Sequence, residues 1–152
     1  MSEKNSHQTV SASIPEQVVL VVDFGAQYAQ LIARRVREAH VYSEIVSRNI
    51  TAEEVSERRP SAIILSGGPK SVHEENAPLL DEKIYELGIP ILGICYGAQL
   101  ITKQLGGEVA KTGTGEYGRT DLSVLNNSLL LHDLDLSHSV WMSHFDTMAK
   151  AP

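Results

Sequence analysis

The chain holds a single cysteine, Cys95, so no internal disulfide can form and a reducing, cytoplasmic setting is expected. Basic residues are in deficit, with 13 Lys and Arg against 19 Asp and Glu, a formal net charge of −6. Affinity for a phosphate backbone comes mostly from counterions displaced by Lys and Arg, so a nucleic acid is not an expected partner. The longest aliphatic run, Val18 to Val22, falls far short of the roughly 20 apolar residues that a membrane-spanning helix needs. Met1 to Gln17 lack the apolar stretch of a signal peptide and are only sparsely apolar, so residues 1–17 are expected to be a disordered leader. No repeat and no low-complexity tract interrupts the rest. The 152 residues amount to about one domain at roughly 150 residues per domain, expected over 18–152.

From Val18 onward, short and uniformly apolar runs alternate with segments of helical period. Strands buried on both faces have that character, so the expected fold is α/β: an open, mostly parallel sheet with helices on both faces, Rossmann-like in layout. Strands are expected at Val18–Val22, Val41–Val46, Ala62–Leu65 and Ile89–Ile94, with helices near Gln27–Ala39, Thr51–Glu57, Ala77–Leu87 and Gly97–Leu105. In the first helix Tyr28, Leu31, Ile32, Val36 and Ala39 fall on one apolar face. After Gly106-Gly107, a natural helix stop, the alternation at Leu122 and Val124 and the run Val140-Trp141-Met142 predict short β segments. Ligands of open α/β sheets sit at the carboxyl ends of the strands. The loops Asp23-Phe24-Gly25, Ser66-Gly67-Gly68-Pro69 and Cys95-Tyr96-Gly97 should therefore line one crevice.

The strongest chemical signal is Gly93-Ile94-Cys95-Tyr96-Gly97, in which a buried strand feeds a tight turn that opens a helix. This is the layout of a nucleophile elbow, and the positive end of the helix favours thiolate over thiol. The plain alternative is a small buried hydrophobe, the usual fate of a lone intracellular cysteine; the glycine bracket and the strand-to-helix context favour the nucleophile. The Gly67-Gly68 pair can turn its backbone towards a ligand, so an N–H near Gly68 and that of Tyr96 are candidate halves of an oxyanion hole. By itself the pair is also an ordinary Gly-Gly-Pro turn.

Gly113 to Gly118 spells G-x-G-x-x-G, but strand-like alternation follows where a dinucleotide fingerprint needs a helix. Asp23-Phe24-Gly25 matches the metal-binding triplet of kinases without the rest of the kinase set. Of the six histidines (His7, His40, His73, His132, His138 and His144), none is singled out as a base for Cys95, although His144 in Ser143-His144-Phe145-Asp146 follows an apolar strand. No pair of them has the spacing of zinc ligands, so no metal is expected.

Taken together, Gly93 to Gln99, Ser66 to Pro69, Asp23 to Tyr28, Gly106 to Val109 and Val140 to His144 resemble the class I glutamine amidotransferase domain, in its GMP synthase branch, from about Val18 to the end. The resemblance implies that Cys95 attacks the side-chain amide of L-glutamine and releases ammonia through a γ-glutamyl thioester. Gly68 and Tyr96 would hold the oxyanion, while Gly67, Gln99, Ser143, His144, Phe145 and Asp146 would contact the substrate. The ammonia would pass to a synthetase domain that binds ATP, Mg2+ and XMP, in a homodimeric whole protein; no cofactor is implied for the chain itself.

Ala98 stands where the family commonly has Met and Ala26 where it has Ser, both small replacements. Phe145 stands at a common Gly, with an expected cost of about 1–2 kcal/mol if φ is positive there. The family's Gly-Val-Gln-Phe-His-Pro-Glu segment and its Ser-Gly-Gly-x-Asp-Ser loop are not found. Ser66 to Ser71 approaches the latter but has Lys70 in place of Asp. The chain is therefore expected to be an N-terminal part, lacking the His-x-Glu segment and inefficient alone. Two alternatives stay open: a cysteine hydrolase or peptidase of the same architecture, and a non-catalytic regulatory domain.

Overall fold

The computed structural model describes residues 17–126 and 128–152, with the backbone alone at 112–114. Apart from Gln17, the expected leader lies outside the described residues. Four parallel strands, β1 (Val18–Asp23), β2 (Tyr42–Ser47), β3 (Ala62–Leu65) and β4 (Ile91–Gly93), pair in the order β2-β1-β3-β4. Three helices, α1 (Ala29–Glu38), α2 (Ala52–Arg58) and α3 (Tyr96–Gln104), and a 3-10 helix, Glu82–Leu87, accompany them. Leu20, Val22, Ile63 and Leu65 pack on one face with Val55 of α2, Ile84 of the 3-10 helix and Leu100 of α3. Val21 and Ile64 point the other way, onto Ala29, Ile32 and Ala33 of α1. Uninterrupted apolar runs are needed because both faces of the sheet are covered.

The sheet-facing stripe of α1 differs from the expected one. Ala29 and Ala33 are buried, whereas Tyr28 and Leu31 are exposed. Small residues let the helix backbone come close to β2, where the Ser43 hydroxyl donates to the Ala33 carbonyl at 2.7 Å and accepts from Arg37 at 3.1 Å. Helix α2 begins at a reciprocal cap: Thr51 Oγ1 accepts the Glu54 N–H and Glu54 Oε2 accepts the Thr51 N–H.

Where Ala77–Leu87 is expected as one helix, only Glu82–Leu87 is helical, and as a 3-10 turn. The backbone before it is drawn into tertiary bonds: the Tyr96 hydroxyl donates to the Pro78 carbonyl and Gln104 Nε2 to that of Leu80. Asp81 accepts N–H groups from both Ala52 and Lys83, so it joins the start of α2 to that of the 3-10 helix.

The segment after Gly107 is not a set of short pieces. It forms a long antiparallel hairpin, β5 (Glu108–Ser123) with β6 (Ser137–Lys150). Register shifts break the ladder, the larger between Lys111 and Glu116, where Lys111 faces Asp146 and Glu116 faces His144. Extra residues on one strand of a pair interrupt its alternation, so one continuous strand reads as separate short ones. The G-x-G-x-x-G letters lie inside β5 and open no helix.

Candidate active site

Strand β4 ends at Gly93 and α3 starts at Tyr96, so Cys95 occupies the turn between them. Packing explains the glycine bracket. A Cβ on Gly93 would lie 2.6 Å from the backbone of Ala98, and one on Gly97 would strike the carbonyl oxygen of Leu65 and come within 2.6 Å of its Cβ. The helix can therefore start directly against the sheet. Gly97 N–H donates to Ser66 O at 3.1 Å and Ile94 N–H to Leu65 O at 3.0 Å, which ties the turn to β3 and its loop. Cys95 takes φ of 52°, the left-handed side of backbone space that non-glycine residues adopt at a cost of about 1–3 kcal/mol. In this turn the Cys95 side chain is exposed.

Cys95 opens onto a cleft of about 430 Å³, between the carboxyl edge of the parallel sheet and the hairpin. Gly68, Tyr96 and Gln99 line it from the sheet side; Ser143, Phe145 and Asp146 line it from β6. Two residues expected at the substrate do not line it. Gly67 lies just behind, where a Cβ would be 3.6 Å from that of Cys95. His144 turns to its own hairpin, with Nε2 at 2.8 Å from the Glu116 carboxylate and Nδ1 at 3.1 Å from the Asp146 carbonyl. Phe145 lies in β6 without a positive φ, so the backbone cost expected there does not arise. Pairing with β5 holds it extended, which any residue tolerates.

Asp146 joins the two walls. Gln99 Nε2 donates to its carbonyl at 3.0 Å, and the Ser71 hydroxyl to its Oδ2 at 2.5 Å. The side chain is buried, with Oδ1 unpartnered among the described residues. Tyr96 is buried too, its ring 5.4 Å from that of Phe24 and its hydroxyl 2.5 Å from the Pro78 carbonyl. Burial pushes the Tyr96 phenol up to about 12, a shift that Arg48 opposes and Glu74 reinforces. Among the described residues, neither the Gly68 N–H nor the Tyr96 N–H has a hydrogen-bond acceptor.

Ser71, Lys70, Glu74, Lys111 and Tyr117 also line the cleft and were not singled out from sequence. The first three follow the Gly-Gly-Pro loop directly, a position that marks them as neighbours of the elbow. Lys111 and Tyr117 arrive through hairpin pairing and carry no sequence signal. Asp23-Phe24-Gly25, expected to share one crevice with the Gly-Gly-Pro and Cys95 loops, does not line this cleft; it lines a separate depression of about 420 Å³ with Ile45 to Arg48, because β2 lies beside β1 at that edge of the sheet. Among the described residues no group of three or more His, Cys, Asp and Glu side chains is arranged to hold a metal ion.

A parallel α/β sheet with a cysteine elbow at its carboxyl edge agrees with the family comparison: the chain belongs to the class-I glutamine amidotransferases, whose family model matches residues 20–152. It is 56% identical over 144 residues to the GMP synthase [glutamine-hydrolyzing] of Corynebacterium diphtheriae, covering 95% of this chain and 27% of that protein. A protein of the same name from Thermobifida fusca is 55% identical over 144 residues, 93% of this chain and 27% of its own length. The chain thus spans about a quarter of the length of these curated relatives. Among solved structures, a protein of Thermoplasma acidophilum, described as a putative GMP synthase subunit, superposes with a TM-score of 0.77 at 31% identity, over 90% of this chain and 68% of that one. A glutamine amidotransferase from Thermotoga maritima shares the fold, with a TM-score of 0.65 at 22% identity over 86% of this chain and 61% of its own.

Proposed function

We propose that this chain is the glutamine-hydrolysing part of a GMP synthase, with Cys95 as its nucleophile. The observation that carries the reading is the exposed, positive-φ Cys95 lining one cleft together with Gly68 and Tyr96. In the proposed reaction the Cys95 thiolate attacks the carboxamide carbon of L-glutamine. A C–S bond forms and the carbonyl π pair moves to oxygen, where the N–H groups of Gly68 and Tyr96 receive it. Collapse expels ammonia once the leaving nitrogen has gained a proton, and water then splits the thioester to glutamate and free thiolate. Gln99, Ser143, Phe145 and Asp146 are proposed to hold the amino-acid end.

His144 is proposed to act behind the cleft, by holding the Asp146 carbonyl, and Gly67 by backing the elbow. Ammonia delivery to a synthetase domain that uses ATP and Mg2+ to aminate XMP, a homodimeric whole protein and a cytoplasmic setting belong to the same proposal. They rest on the resemblance and on the names of the relatives. The Ser66 to Ser71 loop has Lys70 where the ATP-handling Ser-Gly-Gly-x-Asp-Ser loop has Asp, and it lies against the elbow.

Labelling tests the reading. A glutamine-derived chloroketone should modify Cys95, read by intact mass and peptide mapping, and L-glutamine should protect it. Protection by simple esters instead of glutamine would favour a hydrolase. Among the described residues no histidine lines the cleft. Glutamine turnover by the 152 residues alone should therefore be slow, and robust ammonia release from them would overturn that part.

A further inference from the structure

Ser66 is fully buried between β1, β3 and the elbow, and its hydroxyl is committed in both directions. The Phe24 N–H, which can only donate, meets Oγ at 3.1 Å. The hydroxyl proton is thereby left for the Gly67 carbonyl, 3.0 Å away. In a trans peptide the C=O of one residue and the N–H of the next point in opposite directions within one rigid plane. Whatever holds the Gly67 carbonyl therefore aims the Gly68 N–H.

Two consecutive glycines give this peptide unusual freedom to rotate, and a rotation would carry the Gly68 N–H off the position of the oxyanion. The backbone of Ser66 is itself anchored, with its N–H on Val22 O and its C=O accepting from Gly97 N–H, both at 3.1 Å. The hydroxyl thus works from a fixed base shared by the central strand β1 and the nucleophile turn.

We propose that Ser66 is a positioning residue: its side chain, held by the Phe24 N–H, locks the Gly67–Gly68 peptide with the Gly68 N–H turned towards Cys95. This rests on the reading of Cys95 as the nucleophile of a glutamine site. Ser66 touches no substrate; it acts through the peptide that does.

The test compares two reagents on Cys95 in the full 152-residue chain. A glutamine-derived chloroketone forms a C–S bond as chloride leaves with its electron pair, and its carbonyl oxygen lies where the oxyanion would. Methyl methanethiosulfonate forms an S–S bond as methanesulfinate leaves, and it has no carbonyl to be held. Ser66→Ala should slow the chloroketone about 10-fold, less than the loss of an oxyanion donor outright. The thiosulfonate rate should stay within about twofold of the unsubstituted chain. Ser66→Thr keeps the hydroxyl and should restore the original ratio of the two rates.

An unchanged ratio in Ser66→Ala overturns the proposal. So does an equal slowing of both reagents, which signals a disturbed elbow, or the same loss in Ser66→Thr as in Ser66→Ala. If the unsubstituted chain reacts with the thiosulfonate but is not labelled by the chloroketone, the glutamine-site reading itself fails and this inference falls with it.

Discussion

At Cys95 a backbone penalty and a chemical opportunity coincide. With φ at 52°, its conformation is one that glycine adopts freely. Cys95→Gly should therefore raise stability by about 1 kcal/mol in urea titrations while abolishing chloroketone labelling, since strain relief outweighs the added freedom of the unfolded chain. The opposite sign holds two residues later. Gly97→Ala drives a methyl into the Leu65 carbonyl, so it should cost about 3 kcal/mol or yield insoluble protein. The bracket around the cysteine was legible in the letters because each glycine answers a steric demand. The roles of Ser71 and Asp146 as a bonded pair were not, since the two are 75 positions apart and only folding brings them to 2.5 Å.

At the level of elements, local chemistry and tertiary pull can be separated. Helix α2 stands on its own cap, so Thr51→Ala should lose about 1 kcal/mol in a thermal or urea melt, with Cys95 labelling unaffected. Asp81 ties α2 to the 3-10 helix, and its carboxyl is held below the usual range, first by the Ala52 N–H and then by that of Lys83. The support from Asp81 is complete above the ordinary carboxylate pKa and is lost as pH falls through the lowered value. The four parallel strands and α1, α2 and α3 were readable because uniform apolar runs and helical periods are local properties. The 77–87 segment departs from its helical pattern because Tyr96 and Gln104 claim its carbonyls from a distance. The β character after Gly107 was readable, but the length and pairing of the β5–β6 hairpin were not, because strand pairing joins distant residues and a register shift falls between Lys111 and Glu116.

For the whole molecule, the cleft exists only while the hairpin stays docked against α3 and the Gly-Gly-Pro loop. Ser71→Ala leaves the buried Asp146 Oδ2 without its donor and should cost about 1–3 kcal/mol, with weaker protection of Cys95 by glutamine. Alkaline stability offers a global check. Burial lifts Tyr85 and Tyr96 from 10 to about 12 in the folded chain. Between those values the unfolded state binds fewer protons than the folded one, so stability is intact below pH 10 and falls as pH rises towards 12. Melting temperatures measured from about pH 9 to 12 should show that decline, and it should flatten in the Tyr85→Phe, Tyr96→Phe double variant.

Composition, apolar runs and the glycine bracket by themselves determined a parallel α/β sheet and the presentation of Cys95 as an exposed thiol at its carboxyl edge. These are short-range matters: steric fit at a turn, and burial of strands on both faces. Tertiary structure alone decided that His144 faces Glu116 instead of the cleft, that Phe145 is unstrained and that the Phe24 N–H holds the Ser66 hydroxyl on the Gly67 carbonyl. Each of those depends on strand register or on a bond between distant segments, and neither is written in any local pattern of residues.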